Sequence, residues 1–256
     1  MKTAIVIPAR YGSTRFPGKP LAQIGGQSML SRVVDLARSI ENADVFVTTE
    51  DRRIADHATA LGVECVMTPD DCPTGSDRVL AALRQCDEMP DFVVNLQGDA
   101  PFTPLSVLQA LIKAFENNPE VVTPVHRLSW DDFDRLREAK KTTPFSGTTA
   151  IVKDGRALWF SKNIIPAIRK EDRSALLSPV YQHMGLYGFR VDILERFCAL
   201  PQGYYEQLEG LEQLRMLENE IEVTAVPVDI DQGQIQSGID TPEDLARAEE
   251  MLKALS

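Results

Sequence analysis

Arg10, Arg15 and Lys19 sit in one short segment, ARYGSTRFPGKPL at positions 9–21, directly after the apolar run TAIVIP at 3–8. Gly12 and Gly18 lie among them, with the hydroxyls of Ser13 and Thr14. Fixed positive charge on a glycine-containing turn, placed after a buried strand, is what a polyphosphate requires. Glycine lets the backbone approach phosphate oxygens, and the cations neutralise them. The spacing is not that of a P-loop, because five residues separate Gly12 from Gly18-Lys19 and Pro20 follows. No G-x-G-x-x-G fingerprint occurs in the loop either. A solvated basic loop is the plain alternative, but the rest of the chain is acidic.

Two acids are placed to accompany such a loop. Asp99 follows the run FVVNL and Gln97-Gly98, at the carboxyl end of an expected central strand. Magnesium favours few carboxylates together with phosphate oxygens and water, so Asp99 is a candidate Mg²⁺ ligand; a turn aspartate is the other reading. Asp240 precedes Thr241-Pro242-Glu243-Asp244, which has the form of a capping box with proline at the first helical position. Thr241 takes the capping role, so Asp240 is free for a second ligand position or a turn. The pair Asp229-x-Asp231 has a glycosyltransferase look but follows a late strand, and is set aside. Thr74-Gly75-Ser76-Asp77-Arg78 opens a helix whose free N–H groups suit either a base edge or an ordinary cap. His183, in YQHMGLYGFR, alternates with tyrosines in a way that would line a polar pocket. His57 and His126 read as packing residues. Glu206, Glu209 and Glu212 fall on one expected helix, where they would meet sugar hydroxyls or solvent.

The elements around these residues alternate strand and helix through the first half. Strands are expected at Ala43–Thr48, Val63–Met67 and Phe92–Leu96, and helices at Arg52–Leu61, Ser76–Cys86 and Pro104–Glu116. That alternation predicts an α/β fold with a mostly parallel sheet, in which ligands bind beyond the carboxyl ends of the strands. Residues 120–190 hold several strand-like stretches, which predicts an antiparallel insertion carrying an acceptor site and an oligomer surface. A mobile loop is expected at 166–180, one helix near Glu206–Glu218, a strand at Ile221–Val228 and a helix at Pro242–Leu255. The 256 residues are expected to form a single domain. A formal charge of −11 argues against a general nucleic-acid binder. No apolar run is long enough for membrane insertion and no signal-peptide pattern is seen. Four cysteines without a C-x-x-C pair fit a reduced, cytoplasmic protein.

PARYGSTRFPGKPL, TGSDR, QGDAP, HMGLYGFR, LEGLEQLR and GIDTPEDL, in this order, resemble the 3-deoxy-manno-octulosonate (Kdo) cytidylyltransferases, the CMP-Kdo synthetases. The resemblance runs from residue 4 to about residue 250. It implies a Rossmann-like nucleotidyltransferase sheet with helices on both faces. It also implies CTP as co-substrate, Mg²⁺, a homodimer and a role in lipopolysaccharide biosynthesis. Carried over by position, Arg10, Ser13 and Lys19 would hold the CTP phosphates, with Arg15 at the phosphates or the acceptor. Ser76 and Arg78 would lie at the cytosine and ribose side, and Gln97 would contact the sugar acid. Asp99 and Asp240 would be the Mg²⁺ ligands, and His183, Tyr187, Glu209 and Glu212 would line the sugar pocket.

Departures from the family form gather on the acceptor side. Ala100 stands in place of the Glu of Gly-Asp-Glu-Pro, Thr74–Arg78 in place of Ser-Gly-Thr-Glu-Arg, and Lys162 in place of the Arg of Phe-Ser-Arg. These departures point to a modified acceptor, with 8-amino-3,8-dideoxy-manno-octulosonate the foremost candidate beside Kdo. A cytidylyltransferase for a sialic acid or polyol phosphate, and a nucleotide-binding regulator without catalysis, are the competing readings. The expected reaction is attack by the sugar's anomeric hydroxyl on the α-phosphate of CTP, with Arg10, Lys19, Asp99 and Asp240 as the catalytic set.

Overall fold

A computed structural model of the chain describes residues 1–12, 16–230, 238–239 and 241–255. Ser13, Arg15, Asp231 and Asp240 lie outside the described residues. The chain divides into two units, Met1–Gln109 with Gln232–Ser256, and Ala110–Asp231.

The first unit opens with β1 (Thr3–Pro8), buried at every position. A small hairpin of β2 (Gln23–Ile24) and β3 (Gln27–Ser28) leads into α1 (Met29–Arg38). Then follow β4 (Ala43–Thr49), α2 (Arg52–Ala60), β5 (Glu64–Met67), α3 (Gly75–Leu83) and β6 (Phe92–Asn95). The four long strands are parallel in the order β6-β1-β4-β5. Ile5 is paired with Val45 on one side and Val94 on the other. Strands buried on both faces read as unbroken apolar runs, which is why TAIVIP and FVVN carry no alternation. α4 (Leu105–Ala114) spans the boundary between the units.

The second unit contains β7 (Val121–Ser129), α5 (Trp130–Ala139), β8 (Thr148–Lys153), β9 (Arg156–Ser161), β10 (Leu177–His183) and β11 (Tyr187–Arg190). Helices α6 (Val191–Ala199), α7 (Tyr204–Glu209) and α8 (Glu212–Glu218) follow, and then β12 (Val223–Pro227). Its strands run β10-β8-β9-β12-β7-β11, and a further β10–β7 pairing closes a ring of five. All these pairings are antiparallel except β12 with β7. The antiparallel stretch expected at 120–190 is therefore joined by β12, from beyond its end. Returning to the first unit, α9 (Pro242–Leu255) ends the chain.

Three local expectations change. The single helix over Glu206–Glu218 is two, because Gly210 takes a left-handed conformation (φ 62°) and ends α7. Glu209 and Glu212 thus sit on either side of a break and not along one face. The 166–180 segment is fastened to α5. Trp130 Nε1 donates to the Ala175 carbonyl at 2.9 Å, and Arg173 pairs with Asp134 and Glu171. Its last residues belong to β10. His183 and Tyr187 occupy two strands, β10 and β11, and not alternate positions of one.

Candidate functional sites

At the end of β1 the chain turns into the basic loop. Ala9 N–H donates to the Thr48 carbonyl at 2.9 Å, and Gly18 N–H returns to the Tyr11 carbonyl at 2.9 Å. Gly18 adopts φ 70°, a region that glycine enters without a Cβ penalty, and it starts the short turn that carries Lys19 and Pro20. Lys19 is buried, and its Nζ lies 2.6 Å from Asp99 Oδ2. The pair joins the loop after β1 to the loop after β6, the neighbouring parallel strand. A cleft of about 420 Å³ opens here, lined by Arg10, Gly12, Lys19, Gly75, Gln97 and Asp99 among others. Arg10 is exposed and donates to the Cys72 carbonyl at 3.1 Å. Its reach across the cleft leaves most of its guanidinium donors for a ligand.

The far wall is the start of α3. Thr74 and Asp77 form a capping box, with Asp77 N–H on Thr74 Oγ1 at 3.2 Å and Thr74 N–H on Asp77 Oδ2 at 3.1 Å. Gln97 Nε2 donates to Asn95 Oδ1 at 2.9 Å, and Asn95 Nδ2 lies 3.4 Å from Ser76 Oγ. Asn95 and Ser76 are fully buried, so this chain of amides and a hydroxyl orients Gln97 from beneath.

Arg78 is almost completely buried. It donates to Thr68 Oγ1 at 2.8 Å, and its Nη1 sits 2.9 Å from Glu50 Oε2 as an ionic contact without a directed hydrogen bond. Glu50 Oε1 in turn accepts the Tyr11 N–H at 3.0 Å. Arg53 stacks over the Tyr11 ring, 3.3 Å from its centroid. Glu50 was not among the residues singled out in the sequence. The signal was available, because Glu50 directly follows β4, at the same kind of strand end that marked Asp99.

The residues on either side of position 240 are described. Ile239 N–H donates to the Asp99 carbonyl at 3.0 Å, and a Cβ added to Gly238 would stand 3.6 Å from Asp99 Oδ1. On the other side Thr241 and Asp244 complete the capping box of α9, with Thr241 N–H on Asp244 Oδ2 at 2.9 Å. The Asp99 carboxylate, paired with Lys19 and with a glycine at 238 leaving room beside its second oxygen, is a donor that fits Mg²⁺ shared with phosphate oxygens. No cluster of three His, Cys, Asp or Glu suited to a metal occurs among the described residues.

The second unit brings His183 and Tyr187 together among buried side chains. His183 is buried, and its ring lies 5.0 Å from Phe160 and 5.5 Å from Tyr187, centroid to centroid. Its Nε2 is 2.8 Å from Thr123 Oγ1, and that hydroxyl is also 2.8 Å from the Leu186 carbonyl. A hydroxyl has one proton, and only the carbonyl cannot donate. Thr123 therefore gives its proton to Leu186 and accepts from His183, which assigns the Nε2–H tautomer and leaves Nδ1 as an acceptor. Burial, assisted by the Lys162 charge, lowers the His183 pKa to about 3. Burial and the charge of Glu212 hold the Tyr187 hydroxyl well above its ordinary value.

Glu209 faces the end of β9. Its carboxylate accepts Ser161 Oγ at 2.9 Å and the Lys162 N–H at 2.5 Å. The Lys162 ammonium is half-buried, and among the described residues it makes no hydrogen bond or ion pair. Burial lowers its pKa, against the pull of Glu209. Glu206 points elsewhere. It forms a buried two-pronged pair with Arg215, at 2.7 and 2.5 Å, which packs α7 against α8. His57 bonds Ser28 Oγ at 2.7 Å beside the start of α1, in keeping with a packing role.

A phosphate-suited cleft at the carboxyl ends of parallel strands, with an acid and cations at its mouth, defines a nucleotidyltransferase. A profile of the cytidylyltransferase family matches residues 4–225. The chain is 43% identical to the 3-deoxy-manno-octulosonate cytidylyltransferase of Maricaulis maris, over 99% of this chain and 98% of that one. It is 40% identical to the protein of that name in Bacteroides thetaiotaomicron, over 99% of each. Among solved structures, CMP:2-keto-3-deoxy-manno-octonic acid synthetase complexed with CTP superimposes with a TM-score of 0.86 at 31% identity, over the full length of both chains. The chain belongs to the 3-deoxy-manno-octulosonate cytidylyltransferase family and is a cytidylyltransferase. No helix among the described residues is long and apolar enough to cross a membrane.

Proposed function

We propose that this enzyme activates a Kdo-type sugar acid with CTP, giving the CMP-sugar and pyrophosphate for lipopolysaccharide assembly in the cytoplasm. The observation that carries the reading is the 2.6 Å pair of Lys19 and Asp99 at the mouth of the cleft. It brings a phosphate-binding cation and a metal-binding acid to one point. Arg10, Ser13, Arg15 and Lys19 hold the triphosphate and offset the charge that gathers on the leaving pyrophosphate. The anomeric oxygen forms a bond to the α-phosphorus as the bond from that phosphorus to the bridging β-phosphate oxygen breaks. The hydroxyl proton passes to solvent. Asp99 and Asp240 would hold Mg²⁺, which when bound polarises the α-phosphate. Arg78 acts from beneath, by holding Glu50, which in turn fixes the Tyr11 end of the basic loop. Ser76, through Asn95, steadies Gln97 for its contact with the sugar acid.

The acceptor pocket is assigned to His183, Tyr187, Glu209 and Glu212. The Lys162 ammonium supplies the counter-charge for the carboxylate of the sugar acid, being half-buried and otherwise unpaired among the described residues. Its partial desolvation is recovered when an anion arrives. The 8-amino analogue is the second reading. Glu212 favours it, since its charge reaches the pocket at Tyr187 and complements an added ammonium. A homodimer is supported by exposed aromatic and apolar groups of the second unit, Tyr204, Tyr205 and Leu208, with Tyr205 edge-on to Trp159 at 5.2 Å.

The Asp99→Asn variant tests the core of this reading. It keeps the shape of the side chain and removes the charge. Pyrophosphate release is expected to fall by about 10²–10³-fold with the thermal midpoint close to wild type. Full activity in a folded Asp99→Asn enzyme contradicts the assignment.

A further inference from the structure

The segment that presents Lys162 is held by a residue outside the expected site. Lys140 caps the C-terminus of α5, and its half-buried Nζ donates to the Ser146 carbonyl at 2.5 Å, the Gly147 carbonyl at 3.2 Å and the Lys162 carbonyl at 2.5 Å. A fourth carbonyl, Pro144, lies at 3.4 Å. No carboxylate pairs with this ammonium at ion-pair distance among the described residues. The groups it touches are backbone carbonyls. Burial and the neighbouring Lys162 charge lower its pKa, and Glu209 raises it.

The surrounding bonds show what this cradle fixes. The Lys162 N–H is taken by Glu209 and the Lys162 carbonyl by Lys140. The next carbonyl, Asn163, accepts from Thr149 Oγ1 at 2.7 Å, and the same oxygen receives the Ile165 N–H at 3.0 Å. Thr149 belongs to β8, which begins directly after the 140–147 turn that Lys140 closes. One ammonium thus ties together the end of α5, the turn into β8 and the exit of β9. The backbone at 162 is pinned on both sides, while the Lys162 ammonium makes no hydrogen bond or ion pair among the described residues.

We infer that Lys140 is a positioning residue for the acceptor pocket. It fixes the backbone from which Lys162 projects and to which Glu209 is bonded, so that an anionic acceptor meets a preset ammonium. Its own positive charge adds to the local field without contacting substrate. The inference rests on the acceptor reading above for its consequence, but not for its geometry. A lysine suits the task because three rotatable donors on a long stem can gather carbonyls from separate segments.

Two measurements test it. Hydrogen exchange of the free enzyme reads the positioning without any substrate. In Lys140→Met, peptides spanning 143–149 and 160–165 are expected to exchange faster, with those of the nucleotide cleft unchanged. Steady-state kinetics with Kdo read the consequence. In Lys140→Met the KM for the sugar acid is expected to rise about 10-fold while the KM for CTP stays within about 2-fold, with Lys140→Arg restoring much of the loss. Unchanged exchange at 160–165, or equal changes in the KM for both substrates, overturns the inference. If Lys140→Met does not fold, Lys140→Arg and Lys140→Gln carry the same comparison. If the wild type releases no pyrophosphate with any sugar acid, the acceptor reading fails, and the exchange result still decides the part played by Lys140.

Discussion

His183 is neutral over the whole working range because burial and the nearby Lys162 charge both oppose an imidazolium. Its part in the pocket is that of a fixed hydrogen-bonding group and not a proton shuttle. The consequence for stability has a definite sign. The folded pKa of about 3 lies below the ordinary value of 6.5, so from about pH 6.5 down to about pH 3 the unfolded chain binds a proton that the folded chain refuses. The contribution of His183 is fully present above about pH 6.5 and is lost as the pH falls, by about 1.4 kcal/mol per pH unit within that window. His126, also lowered by burial, acts in the same direction. Thermal melts from pH 7 to pH 5 are expected to show a smaller drop in midpoint for His183→Gln than for the wild type. An identical pH slope in the two proteins would remove His183 from this account. Single residues were unevenly legible in the sequence. Lys19 and Asp99 stood out because charge at a strand end has few structural uses. Glu50 carries the same strand-end signal and was passed over, while Thr123 and Lys140 did not stand out, since their roles depend on partners far along the chain: His183 and Lys162.

Elements were more legible where one physical rule governed them. β1 and β6 are continuous apolar runs, and the helix opening at Thr74 and the capping box at Thr241 mark the starts of α3 and α9 within a residue or two. The second unit was harder to read. Its strands pair over long separations, as β12 does with β7, and nothing local in the sequence specifies such partners. The break between α7 and α8 was hidden because leucines and acids keep a helical spacing across Gly210, which alone ends the first helix. Position 188 shows how tightly β11 is fitted. A Cβ there would collide with the Phe115 ring and stand 2.7 Å from Val122 Cγ2. Neither neighbour is free to withdraw, as Phe115 and Val122 are both buried. Gly188→Ala is expected to cost about 1–3 kcal/mol in denaturant unfolding and to disturb the adjacent Tyr187, raising the KM for the sugar acid. An unchanged unfolding midpoint would show that β11 has slack that its packing does not suggest.

At the scale of the whole molecule, an acidic chain with a net charge of −11 carries its few committed cations where anions must be bound. On the proposed reading Arg10 and Lys19 serve a nucleotide cleft in the first unit, and Lys162, backed by Lys140, serves the acceptor in the second. This division of charge matches a reaction between two anions, in which uniform repulsion from the protein is overcome only at the sites. The central claim is that both sites act in one cytidylyl transfer. The most direct test is pyrophosphate release from CTP and Mg²⁺ with Kdo, 8-amino-Kdo and a sialic acid offered separately, alongside CTP alone. The account predicts release, with an equal amount of CMP-sugar, only when a Kdo-type acid is present. Binding of CTP without release from any acceptor, or release with the sialic acid alone, would contradict it.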